Sequence, residues 1–152
     1  MKVFRLSKKK YAEELSGKGA SKSGNRSNSK GTEIIYTAES RSLAMAELVV
    51  HLSLATLPRD FVMMEIDIPE TIKIKELKLS ELQENWNQHP TAVSTQKIGD
   101  KFIGSTTHCV MKVPSALVNG DFNYLLNPYQ KDFKKIKIEN ISDFPINRKI
   151  FK

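Results

Sequence analysis

The segment Gly17–Tyr36, GKGASKSGNRSNSKGTEIIY, decides how this chain is read. Four of the seven glycines (Gly17, Gly19, Gly24 and Gly31) fall in it, interleaved with Lys18, Lys22, Arg26 and Lys30, before an apolar, β-like run that ends in Tyr36. Glycine removes the Cβ that keeps a backbone away from an anion and leaves N–H groups free, while the cations supply the field. Arg26 adds a planar fork that can grip a phosphate through two bonds, which lysine cannot. The same composition also describes a flexible basic surface loop, so the segment has to be weighed with the rest of the chain.

Charge narrows the choice. Residues 1–31 hold nine Lys/Arg against two Asp/Glu, whereas residues 32–152 hold fifteen of each. The whole net charge of +7 therefore sits at one end of the sequence. A uniformly basic surface indicates nucleic acid, but a patch beside a glycine loop suits one anionic ligand or one acidic partner. A non-enzymatic, basic nucleic-acid-binding module is the reading from another class. No recognition motif or aromatic-basic interleaving supports it, and no direct nucleic-acid contact is expected.

At 152 residues, 39% hydrophobic and 27% charged, the chain is expected to form one globular domain over residues 1–152. Cys109 is the single cysteine and lies in the apolar run CVMKV, which excludes a disulfide framework and points to a small buried hydrophobe. His51, His89 and His108 show no metal-ligand spacing, so no metal is expected. No apolar run reaches the roughly 18 residues of a membrane span, and MKVFRLSKKK lacks the apolar centre of a signal peptide. A cytoplasmic protein without a membrane partner is the expectation.

The pattern predicts strands at Val3–Leu6, Glu33–Thr37, Phe61–Ile68 and Cys109–Val113, with further candidates at Asn123–Leu126 and Phe133–Ile138. It predicts a mostly buried helix over 40–55, N-capped by Ser40, with Leu43, Ala46, Val50 and Leu54 as its stripe and Pro58 beyond its end. Short helices are expected at Lys8–Leu15 and Leu77–Trp86, and Thr91–Gly99 reads equally as helix or loop. Without a regular βαβ alternation, the fold class is α+β with a mixed central sheet.

Three further residues carry chemical interest. Glu47 interrupts the apolar run MAELVV, where a buried, unpaired carboxylate is costly; it faces either a surface pair with His51, four residues on, or a ligand in a cleft. Ser115 follows Pro114 at a strand end, where open sheets place ligand groups, but no nucleophile elbow surrounds it and it does not read as a nucleophile. Tyr36, at the exit of the glycine loop, offers a ring for stacking. Neither a Walker A loop nor a dinucleotide-binding fingerprint is present.

Taken in order, these segments resemble one family. The order is Phe4-Arg5-Leu6, Gly17-x-Gly19-Ala20, Gly24-x-Arg26-x-Asn28-Ser29-x-Gly31, Tyr36-Thr37-Ala38-Glu39-Ser40, Leu43-Ala44-x-x-Glu47-x-x-x-His51-Leu52, Leu57-Pro58, Val113-Pro114-Ser115-Ala116 and Asn123-Tyr124-Leu125-Leu126-Asn127-Pro128. Together they resemble the RES-domain family, named for its Arg, Glu and Ser, from residue 3 to about residue 148. The resemblance implies an ADP-ribosyltransferase-like fold and a toxin of a bacterial toxin–antitoxin pair. It implies that NAD is the substrate, cleaved at the nicotinamide–ribose bond by hydrolysis or phosphorolysis, with no further cofactor required. Some members of the family instead transfer ADP-ribose to a protein. By matching position, the catalytic residues are Arg26, Tyr36, Glu47 and Ser115, with Asn28 and Gly31 joining Arg26, Tyr36 and Ser115 in binding NAD. The family commonly has an aromatic residue, usually Trp, after the arginine; this chain has Ser27. The implied partner is a cognate antitoxin of the Xre-like, helix-turn-helix type.

Overall fold

Alternation along the first strand sets up the two faces of a sheet. The computed structural model describes residues 1–17, 28–50, 59–87, 93–147 and 149. Among the described residues there are seven strands: β1 (Lys2–Lys8), β2 (Ile35–Ala38), β3 (Phe61–Asp67), β4 (Ile74–Glu76), β5 (Val110–Pro114), β6 (Phe122–Leu126) and β7 (Lys137–Asp143). They form one sheet in the order β4-β5-β6-β2-β1-β3-β7, with β4 parallel to β5 and every other pair antiparallel. Successive residues point to opposite sides. Val3, Ile35, Val62, Met64, Ile66, Val110, Tyr124 and Leu126 therefore pack on one side, with Cys109 and Ile136. Their neighbours Phe4, Ala38, Met63, Met111, Val113 and Leu125 pack on the other.

Both helices cover this second side. Helix α1 (Arg41–Val49) contributes Leu43 and Ala44 to the cluster around Phe4, Ala38 and Met63. Helix α2 (Val93–Ser105) buries Thr95, Gly99, Phe102 and Ile103, a spacing of four, three and one that keeps all four on one helical stripe. Asn127, fully buried, donates from Nδ2 to the Ile103 carbonyl at 3.1 Å and fixes the end of α2 to the end of β6. The fold class is thus α+β with a mixed sheet, as the sequence predicts.

The sheet is not uniformly zipped. Strand β1 pairs with β3 through every residue from Lys2 to Lys8, but with β2 through Phe4 and Ala38 alone. The two strands separate beyond Phe4, toward the start of β2. Arg5 lies in this stretch of β1, half-buried, and burial lowers the pKa of its guanidinium. Among the described residues no carboxylate forms an ion pair with it.

Several elements differ from expectation, each for a local reason. The expected Lys8–Leu15 helix is a single 3-10 turn, Lys9–Tyr11, because the Lys9 amide bonds to Asp60 O at 2.8 Å and holds the segment to the start of β3. The expected Leu77–Trp86 helix is reduced to a turn at Leu79–Glu81; the Leu77 amide instead bonds to Lys112 O at 2.8 Å and prolongs the pairing with β5. The first half of the candidate strand at Phe133–Ile138 belongs to a 3-10 turn, Lys131–Lys135, started by Gln130 Oε1, which accepts from the Asp132 amide at 2.7 Å; its last two residues begin β7. Helix α1 begins as predicted, with Ser40 Oγ accepting from the Leu43 amide at 3.1 Å, but only Leu43 and Ala44 are fully buried and Val50 is exposed. Residues 51–55 of the predicted helix lie outside the described residues.

Cys109 is buried as expected. Burial first, and the charge of Asp132 second, push its thiol up to about 11. An unfolded cysteine titrates near ~8.5, so between these values the unfolded chain gives up the proton first and the native state is disfavoured as pH rises. We expect stability to fall through this alkaline window, and Cys109→Ala to flatten that part of the slope in a denaturation series. Native Cys109 should also resist alkylation at pH 8 and react on unfolding; rapid native labelling would contradict its placement.

Candidate active site on the helix-bearing face

The candidate site begins where the glycine segment re-enters the described chain. Asn28 is fully buried. Its Nδ2 donates to Thr32 O at 3.0 Å and to Ser29 O at 3.3 Å, and its Oδ1 accepts the Tyr36 hydroxyl. The Thr32 amide returns to Ser29 O at 3.2 Å, closing a turn whose third residue is Gly31 at φ +97°. A turn with that sign at its third position calls for glycine, so the turn alone accounts for Gly31. At the other end of the segment, a Cβ on Gly17 would lie 2.5 Å from the Ile34 nitrogen, a close backbone approach that only glycine permits. Ser29 is tied to α2: its amide bonds to Asp100 Oδ1 at 2.9 Å and its hydroxyl to Asp100 Oδ2 at 2.6 Å.

Tyr36 stands on the helix-bearing face of β2. Its ring packs against the α2 cluster of Phe102, Ile103, Val113 and Leu125, while Ala38, two residues on, belongs to the α1 cluster. The two clusters therefore meet along β2. Glu47, half-buried, lies one turn beyond Leu43 and Ala44, on the stripe of α1 that turns toward the sheet. The alternative Glu47–His51 pair involves a residue outside the described set.

Ser115 follows β5 and is buried. Its amide donates to Asp121 O at 2.8 Å, and its Oγ accepts from the amides of Leu117 at 3.1 Å and Val118 at 3.0 Å. A hydroxyl has two lone pairs and one proton, so Oγ is left with a proton to donate rather than a pair with which to attack. Val118 packs on the Phe4, Leu43 and Ala44 cluster, which sets the Ser115 turn beside α1. Asn28, Tyr36, Glu47 and Ser115 thus share one side of the sheet. Arg26, together with Lys18 and Lys22, lies outside the described residues.

Two groups were not singled out from the sequence, one on this face and one in β1 on the opposite face. Asn123, buried between Val113 and Ala38, donates from Nδ2 to Thr37 O at 3.1 Å and adds a fixed amide to the floor of this face. Arg5 is a guanidinium without a carboxylate partner among the described residues; a cation within a strand otherwise apolar at Val3, Phe4 and Leu6 was the signal available. By contrast, Arg41 is committed elsewhere. It lies 4.5 Å over the Phe4 ring and 3.6 Å from Glu65, which with Glu139 also holds Lys2 and raises its pKa. Among the described residues, no group of three His, Cys, Asp or Glu side chains could hold a metal ion, and no helix is long and apolar enough to cross a membrane. The helix-bearing face offers a carboxylate, a phenol, a hydroxyl donor and an amide, a set suited to polar substrate chemistry.

The chain is similar to known proteins along nearly its whole length. The chain is 36% identical over 154 residues to a protein named Toxin Res from Photorhabdus laumondii, with 100% of this chain and 98% of that one covered. It is 35% identical over 135 residues to Toxin Res from Yersinia enterocolitica, covering 88% of each chain. It is 33% identical over 132 residues to the Prs ADP-ribosylating toxin from a Sphingobium species, covering 86% of this chain and 82% of that one. In three dimensions it resembles a chain in the crystal structure of the M. tuberculosis MbcT-MbcA toxin-antitoxin complex, with a TM-score of 0.74 over 99% of this chain and 86% of that one, at 16% identity. The RES domain family profile matches residues 2–148, and the chain belongs to that family.

Proposed function

We propose that this protein is a toxin that depletes NAD by cleaving the nicotinamide–ribose bond, and that an antitoxin restrains it. The observation that carries the proposal is the common side of the sheet shared by Tyr36, held through Asn28, Glu47 on α1 and the Ser115 turn. Membership of the RES family, with relatives named as toxins, supports the biological role.

The chemistry needs little from the protein. Nicotinamide leaves as a neutral molecule when the C1′–N bond breaks and its electron pair returns to the ring, so no strong acid is required. The ribose becomes oxocarbenium-like, and a carboxylate beside it stabilises the developing charge. Glu47 is assigned this role. Oxygen of water, which gives up a proton to solvent, or of phosphate then bonds to C1′, giving ADP-ribose or its 1-phosphate. Tyr36 stacks on the nicotinamide, Ser115 donates its remaining proton to the nicotinamide or ribose, and Arg26 with the glycine segment holds the pyrophosphate. No cofactor beyond the substrate is invoked.

The second reading is mono-ADP-ribosylation of a protein, favoured by the relative named Prs ADP-ribosylating toxin. The two readings share one site and differ in where ADP-ribose ends. Pure protein incubated with labelled NAD, with and without phosphate and with candidate acceptor proteins, separates them. Free ADP-ribose or its phosphate supports the first reading, label on protein the second, and intact NAD in every arm contradicts both.

A cell in which such an enzyme acts unchecked loses its NAD. We therefore place the protein in the cytoplasm beside an Xre-like, helix-turn-helix antitoxin. The fold likeness to a chain of a toxin–antitoxin complex fits such a partner. Its inserted group is anionic where it meets Arg26, because a guanidinium deprived of phosphate needs another partner.

Two substitutions test the roles. Glu47→Gln keeps the shape and removes the charge, so turnover should fall by roughly 10²-fold or more with NAD binding less affected, and toxicity on expression should vanish. A variant that is active but slightly less stable would reduce Glu47 to a surface helix pair. Arg26→Lys keeps the charge but loses the fork, so it should impair NAD cleavage more than Lys18→Ala or Lys22→Ala. Equal losses in all three would indicate a diffuse basic surface.

A further inference from the structure

Asp100 lies on α2, 71 residues along the chain from Ser29, yet both of its carboxylate oxygens are directed to that residue. The bonds are 2.9 Å from the Ser29 amide and 2.6 Å from its hydroxyl, both within ordinary hydrogen-bond distance. Lys97 and Lys101 flank Asp100 on the same helix, but among the described residues it forms no ion pair with either. An exposed helical carboxylate would find a nearby lysine; this one is spent on a loop.

The consequence runs through Asn28. Holding both the amide and the hydroxyl of Ser29 fixes the peptide that joins it to Asn28. Asn28 is fully buried and closes onto Thr32 O and Ser29 O, while its Oδ1 receives the Tyr36 hydroxyl. The platform beneath is rigid: Phe102 and Ile103 of α2 pack in the cluster that carries Tyr36, and Asn127 pins the Ile103 carbonyl. Ring and hydroxyl of Tyr36 are thus set from the same helix, the ring by α2 packing and the hydroxyl by the relay from Asp100. A site on rigid elements with supported side chains is what substrate orientation requires.

We infer that Asp100 is a positioning residue for this site, acting through Ser29 and Asn28 to fix Tyr36 against its substrate. The inference rests on the NAD-cleaving reading for its kinetic consequence, but its structural part can be read without substrate. Two readouts are taken on the full-length protein: kcat/KM for NAD, and the fluorine resonance of 3-fluorotyrosine placed at position 36.

Asp100→Ala should lower kcat/KM by about 100-fold, the scale of loss for a misplacement of about 1 Å, and should shift or broaden the Tyr36 resonance. Asp100→Asn retains a carbonyl acceptor for the Ser29 amide and should restore both readouts to within a few-fold of wild type. Ser29→Ala removes only the hydroxyl bond and should give an intermediate loss, which keeps the test available if Asp100→Ala fails to fold. The double variant should be no worse than Asp100→Ala alone, since the two residues act as one unit. A lower melting temperature with unchanged kcat/KM and an unmoved resonance would overturn the inference, as would strictly additive losses. If wild-type protein leaves NAD intact, the functional reading fails, and the resonance still decides whether Asp100 sets Tyr36.

Discussion

A fully buried side-chain amide has to satisfy its hydrogen-bonding groups inside the protein, and Asn28 imposes that constraint at the centre of this structure. Leaving such a group unpaired costs about 1–3 kcal/mol, so the surrounding chain is arranged to meet it. Thr32 and Ser29 supply carbonyls, and the Tyr36 hydroxyl donates to the remaining oxygen. These bonds decide how the segment after the glycines closes, where β2 starts and which way Tyr36 faces. Gly31 permits the turn, and Asp100 secures it from α2.

The two faces of the sheet divide the work. One carries the large continuous cluster from Val3 to Ile136 and none of the described residues of the proposed site. The other holds two smaller clusters that meet along β2, with the buried polar groups Asn28, Ser115 and Asn123 beside them. Polar burial is tolerable there because each group is bonded in a fixed direction, which is also what substrate recognition needs. The separation of β1 from β2, after Phe4 in one strand and before Ala38 in the other, lies next to these clusters. It leaves Arg5 in a strand whose neighbour on that side is no longer paired.

Much of this was legible in the sequence where side-chain chemistry is strong. The runs at Phe61–Asp67 and Val110–Pro114 are apolar enough to read as central strands, and Ser40 announces α1. Edge strands were harder: β4 is Ile74-Lys75-Glu76, with no buried residue, and β7 is a largely polar strand whose clearest signature is its pairing with β3. Leu77 shows why the expected helix after β4 failed, because its amide went to β5 rather than to a helical turn. At the site, Tyr36, Glu47 and Ser115 were named from the order of motifs, and the fold sets them on one side of the sheet. Asp100 was not legible, since a carboxylate on an amphipathic helix looks the same whether it faces solvent or a loop 71 residues away. Asn123 was quoted within a motif, but its role depends on Thr37 O, which only β2–β6 pairing brings near.

The account stands on where the dinucleotide lies. The most direct measurement is a crystal structure of Glu47→Gln protein with NAD bound, the substitution slowing turnover enough to trap substrate. The account predicts NAD on the helix-bearing face, its nicotinamide stacked on Tyr36, its nicotinamide ribose at position 47 and its pyrophosphate at Arg26. A dinucleotide on the opposite face, over Val3, Met64 and Val110, or one that leaves Tyr36 and position 47 untouched, would contradict it.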